Sequence, residues 1–82
     1  MTQSLWTLRA GDGCRIIRFD DALAASYRVR MMELGFHPGE IVSCVHAPAL
    51  GAPKVYRVSN TLYSLDDEVA LHIHVEPLSH HE

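Results

Sequence analysis

Glu33-Leu34-Gly35-Phe36-His37-Pro38-Gly39 runs almost directly into Ile41-Val42-Ser43-Cys44-Val45-His46, and this junction decides the fold. Upstream of it, Leu23, Tyr27, Met31 and Leu34 recur at i, i+4, i+8 and i+11, one stripe of a 3.6-residue period. The spacing predicts a helix over about residues 21–34, with Asp20 and Asp21 offering N-cap oxygens to its unpaired first N–H groups. Gly35 stands where a left-handed residue closes a helix. Pro38 then fixes φ and Gly39 tolerates a positive one, which reads as a type II turn. The apolar, β-branched run from Ile41 is a strand.

Working outward, Pro48 and Pro53 bracket a loop, Lys54-Val55-Tyr56-Arg57-Val58 is a strand, and Ser59-Asn60-Thr61 is a tight turn into the strand Leu62-Tyr63-Ser64-Leu65. Residues 66–71 read as one helical turn with its acids at the N-terminal end, where the helix dipole favours them. His72-Ile73-His74-Val75-Glu76 alternates strictly and Pro77 ends it. Towards the N-terminus, Ala10-Gly11-Asp12-Gly13 is a turn. The strand Cys14-Arg15-Ile16-Ile17-Arg18-Phe19 follows, with Cys14, Ile16 and Arg18 expected on one face. The sum is a mainly β chain: a small SH3-like β-barrel of about five strands with one inserted α-helix and a short helical turn. One domain is expected over residues 1–77, with a short, flexible, His-rich tail at 78–82.

Composition narrows the function. Seven Lys plus Arg face ten Asp plus Glu, a net charge of −3. Binding through phosphates needs clustered cations, so nucleic acid is not an expected partner. Cys14 and Cys44 lack redox or zinc-ribbon spacing and read as free, buried thiols in a reducing cytoplasm. The N-terminus has no signal-peptide pattern, and no apolar run approaches the roughly 20 residues that span a bilayer. No Walker-type lysine loop, G-x-S-x-G or HExxH is present. Cys44 and His46 are formally a thiol–imidazole pair, but a core cysteine beside a strand-end histidine is the simpler reading. No enzyme is expected.

Two constellations carry chemistry. His72, His74 and Glu76 lie at i, i+2 and i+4, so a strand projects all three from one face, within reach of a shared metal ion. His80, His81 and Glu82 add further donors. The plainer reading is a solvated face opposite the buried Ile73 and Val75. No cofactor is required on either reading. Zinc or ferrous iron would be adventitious or regulatory, with a metal-bridged homodimer as one outcome. The second constellation is the loop Pro48, Leu50, Gly51 and Pro53, which holds an apolar residue on a stiff tip suited to protein docking. Its alternative has Leu50 folding back to plug the barrel end. Arg28 and Arg30 on the helix offer another partner surface, or an ordinary solvated face. The six aromatics are dispersed, which argues against a groove for proline-rich peptides.

From residue 32 onward the chain resembles the FeoA (ferrous iron transport A) family. Its helix-ending Glu-Leu-Gly, hydrophobe and Pro-Gly appear as Glu33, Leu34, Gly35, Phe36, Pro38 and Gly39. Its Ala-Pro-Leu-Gly-x-Pro loop appears as Ala47, Pro48, Leu50, Gly51 and Pro53, with Ala49 as an extra residue. Its closing pattern appears as Leu65, Ala70, Ile73 and Val75, and Ser4, Leu5, Leu8 and Gly11 fit its beginning. Asp66 and Val69 depart from the family's usual arginine and acid, and Asn60 replaces a frequent glycine. The resemblance implies an SH3-like cytoplasmic protein that docks on the membrane transporter FeoB, at its G-protein domain or membrane part, and regulates ferrous iron uptake. It implies no catalytic residue. Iron-dependent repressors end in a similar module, so a metal-responsive regulatory domain using surface histidines is the alternative.

Overall fold

A computed structural model describes residues 2–78; most of the expected tail, residues 79–82, lies outside the described residues. Six strands form one antiparallel sheet: β1 (Gln3–Ser4), β2 (Gly13–Phe19), β3 (Ile41–His46), β4 (Lys54–Val58), β5 (Thr61–Leu65) and β6 (Ile73–Pro77). Their order is β1-β6-β2-β3-β4-β5. The last strand therefore returns between the first two, and β1 and β5 are the sheet's edges. The sixth strand is β1, whose two residues are too short to show alternation in the sequence. Leu5–Thr7 form a 3-10 turn after it.

The sheet wraps a core of Leu5, Leu8, Cys14, Ile16, Val42, Cys44, Tyr56, Val58, Ile73 and Val75, capped by Phe36. Tyr56 is the largest fully buried side chain, and its O–H donates to the Leu5 carbonyl at 3.2 Å. That bond ties β4 to the N-terminal turn and satisfies a hydroxyl that would otherwise be buried unpaired. Two register shifts bend the ladders, one between Ile16 and Arg18 and one between Cys44 and His46. Each inserts an extra residue, so the expected alternation of Cys14, Ile16 and Arg18 stops at Ile16, and Cys44 and His46 part ways. Cys14, Ile16 and Cys44 are buried while Arg18 and His46 are exposed.

Helix α1 is Ala25–Leu34, shorter than expected. Asp20 does not cap it. Its Oδ1 instead accepts the Ala22 N–H at 3.3 Å, and its carbonyl accepts the Leu23 N–H, so residues 20–23 form a turn. The helix begins after Ala24 with no side-chain cap. Its end matches expectation: Gly35 has φ +110°, its N–H reaches the Met32 carbonyl, and the Phe36 N–H reaches that of Met31. This is the Schellman arrangement, with Phe36 and Met31 both buried behind it. Only Met31 of the helix is buried, and Tyr27, expected on the buried stripe, is 52% exposed. The helix leans on the sheet through its last turn. Past it, the Glu40 N–H closes the predicted turn on the His37 carbonyl, with Gly39 at φ +93°. Helix α2 is Asp67–Ala70.

Candidate functional site

The connection from β3 to β4 carries the first candidate. Residues 47–53 turn through Leu50 at φ +65° and Gly51 at φ +74°, and the Leu50 side chain is fully exposed. It does not fold back into the core. Leucine in the left-handed region costs about 1–2 kcal/mol, and Pro48 and Pro53 limit how far the loop can relax. Val45, extruded by the bulge in β3, is also exposed nearby in sequence.

The two helix arginines sit in different surroundings. Arg28 Nη2 donates to the Leu23 carbonyl at 3.2 Å, and its Nε is buried without a partner. That guanidinium braces the turn before α1, and the Arg28 side chain is half-buried. Arg30 stays exposed, 4.0 Å from Glu33 one helical turn on, a pairing worth little in water.

The histidines are rearranged by long-range pairing. His72 precedes β6, and its carbonyl accepts the Asp20 N–H at 2.7 Å, which extends the β2–β6 ladder by one step. Asp20 Oδ2 consequently lies 3.3 Å from His72 Nδ1 and 3.7 Å from His74 Nε2. The Ala22 N–H and His72 hold the Asp20 carboxyl below its ordinary range, with smaller help from the charge of His72 and His74. His74 Nε2 is buried and makes no hydrogen bond. Glu76, expected to join the two imidazoles, is instead 4.0 Å from Arg15 Nε, the residue across the ladder. Among the described residues no three His, Cys, Asp or Glu side chains are grouped so that they could hold a metal ion. Asp20 was missed in the sequence because its short-range role as a turn former masks its cross-strand role.

The remaining polar groups serve the fold. Lys54 Nζ donates to the Trp6 carbonyl and, at 3.1 Å, to that of Leu8, and sits 4.6 Å from the centre of the Trp6 ring. Both thiols are buried; desolvation pushes Cys14 up to about 12 and also raises Cys44. Neither is a thiolate nucleophile at neutral pH. A shallow cleft of about 140 Å³ beside Gln3, Asp12 and Pro77 is well below the several hundred Å³ typical of ligand pockets. Among the described residues no helix is long and apolar enough to cross a membrane.

Comparison with known proteins places this architecture. None of the curated proteins matches the chain. Solved structures do. FeoA from Chlorobium tepidum is 26% identical with a TM-score of 0.84, covering 98% of this chain and 74% of that one. FeoA from Stenotrophomonas maltophilia, a prokaryotic SH3 domain protein solved as a zinc complex, is 28% identical with a TM-score of 0.79, covering 90% and 89%. A manganese-dependent transcriptional repressor shares the fold at a TM-score of 0.83 and 18% identity, this chain spanning 42% of its length. The FeoA domain model matches residues 3–77. With SH3-like geometry and the family model both covering nearly the whole chain, the protein belongs to the FeoA family, which is associated with ferrous iron transport.

Proposed function

We propose that this chain is a non-catalytic, cytoplasmic accessory of ferrous iron uptake that docks on the FeoB transporter and regulates it through the loop at residues 47–53. The observation that carries this reading is Leu50: a fully exposed leucine held at φ +65° on a proline-bracketed tip. Such a residue serves neither solubility nor the stability of the free chain. Burying it on a partner would recover about 1.5–3 kcal/mol, or roughly tenfold to a hundredfold in affinity. The small cleft, buried protonated thiols and lack of a catalytic motif support a role without chemistry of its own.

The test is a calorimetric titration of the chain against the cytosolic portion of FeoB from the same organism. Binding that Leu50→Glu weakens tenfold or more, with Arg28→Ala and Arg30→Ala weaker in effect, supports docking through the loop. Binding indifferent to Leu50→Glu moves the interface elsewhere. No binding to the cytosolic portion or to the intact transporter in detergent removes the docking reading.

A further inference from the structure

Strand β5 (Thr61–Leu65) ends the sheet, with β4 on one side and no strand on the other. Natural proteins blunt such an edge with a charge, a proline or a bulge that keeps other strands away. Thr61-Leu62-Tyr63-Ser64-Leu65 has none of these, and its register with β4 runs unbroken from Val58–Thr61 to Lys54–Leu65. The opposite edge, β1, is only two residues long. The two-residue turn at Ser59 and Asn60 fixes which backbone groups of β5 are already used. It makes Val58 and Thr61 a hydrogen-bonded pair, so alternation also bonds Tyr56 to Tyr63 and Lys54 to Leu65. Leu62 and Ser64 therefore turn both N–H and C=O outward, and among the described residues no other backbone group takes them up. Both residues are exposed.

Charge along this edge is polarised. Arg57 stands across the ladder from Leu62, exposed, and among the described residues no carboxylate lies within ion-pair distance of it. At the other end, Asp66, Asp67 and Glu68 follow Leu65, all three exposed. We propose that β5 accepts an extended segment of a partner protein as a seventh, antiparallel strand, and that this segment carries a basic residue followed four positions later by an acidic one. Main-chain bonds supply the affinity and the charges supply the direction. The residues opposite Leu62 and Ser64 each exchange two backbone bonds with them, while the residue opposite Tyr63 makes none. The acidic residue, opposite Leu62, shares a face with Arg57. The basic residue lies opposite Asp66, roughly 13 Å earlier along the strand. A parallel strand of the same sequence would set its acid against Asp66 and its cation against Arg57. On the other face, the residue opposite Tyr63 meets a ring that already packs on Phe36 at 5.7 Å, a place for a β-branched side chain. A second copy of this chain is a poorer occupant. Each copy carries a net charge of −3, and the register that uses every free group sets Leu62 against Ser64, which gives Arg57 no anion. The loop at residues 47–53 plays no part in this surface.

The experiment titrates the isotopically labelled full chain with a capped peptide, acetyl-Thr-Lys-Val-Thr-Val-Glu-Thr-amide, and follows the backbone amides by NMR. Saturable shifts are expected, largest at Leu62 and Ser64, whose amide hydrogens should become protected from exchange. Because the protein is unaltered, the decisive comparison lies in the peptide. Methylating the N–H of its central Thr, which faces Ser64, should weaken binding tenfold or more. Methylating the N–H of its second Val, which faces Tyr63 and points that group away, should leave binding within about twofold. Exchanging the Lys and Glu of the peptide should weaken binding severalfold. Arg57→Glu should weaken the original peptide to a similar degree, and a peptide with Lys in place of Glu should restore it. Equal losses from the two methylations, shifts centred on residues 47–53, or no binding at millimolar peptide would each overturn the proposal. Shifts in β5 that grow with protein concentration when no peptide is present would also overturn it, by giving the edge to a second copy.

Discussion

Two connections leave β4, and both need non-glycine residues in the left-handed region. The turn to β5 uses Ser59 at φ +50° and Asn60 at φ +64°. Val58 pairs with Thr61 directly across it, so this is the two-residue type I′ turn that matches the natural twist of a hairpin. Short polar side chains tolerate that conformation, and the fold alone explains it. The connection to β3 spans residues 47–53 and places Leu50 at φ +65° with its whole side chain in water. The backbone is alike in both places, while the residue is suited to one and not the other. A feature that costs the folded chain without shaping it points to something the folded chain meets.

Breaking β4 should abolish both connections at once, and this is the largest effect expected. Tyr56→Ala removes the largest buried side chain and its bond to the Leu5 carbonyl, at about 3–5 kcal/mol by denaturant unfolding. Raising the pH attacks the same strands chemically. Cys14, Cys44 and Tyr56 all have their pKa raised, chiefly by burial. The folded chain therefore keeps protons that the unfolded chain releases. Stability should be complete below the ordinary thiol value of 9.0 and fall as pH rises towards the folded Cys14 value of about 12. A denaturation midpoint that stays flat from pH 8 to 11 would contradict this.

Smaller substitutions separate the two connections. Gly35 is left-handed as well, and a Cβ there would meet Ser59 Oγ at 3.3 Å, so of the two connections it presses on the β4–β5 turn. Gly35→Ala should cost about 1–2 kcal/mol in unfolding experiments, leaving docking by the folded fraction intact. Asn60→Val, which puts a β-branched residue at φ +64°, should destabilise by about 1 kcal/mol or slightly more. Leu50→Asn should do the reverse, raising stability by a few tenths of a kcal/mol or leaving it unchanged, because asparagine accepts the conformation. Urea unfolding of the two variants side by side reads this difference in sign.

The parts of the fold legible in the sequence were those fixed by neighbours. Gly35, Pro38 and Gly39 act within one turn of chain, and the helix end and following turn lie where those residues put them. Leu50 and its prolines could be read as a stiff loop, although whether the leucine pointed out or in depended on the finished sheet. What escaped was set by partners far along the chain. Asp20 reads locally as a helix cap, and only the ladder from residue 14 to residue 77 brings it to His72 and His74. The same ladder pairs Arg15 with Glu76 and so removes Glu76 from the histidines. Arg28 turning back to Leu23, and Tyr27 left in water, follow from a helix that starts at Ala25 and touches the sheet mainly at its end.

The most direct measurement pairs two readouts on one variant: urea stability of Leu50→Asn, and its affinity for FeoB by calorimetry. The account predicts stability equal to or above the parent together with an affinity at least tenfold weaker. Lost stability with unchanged affinity would contradict it, and would make Leu50 a structural residue of the loop.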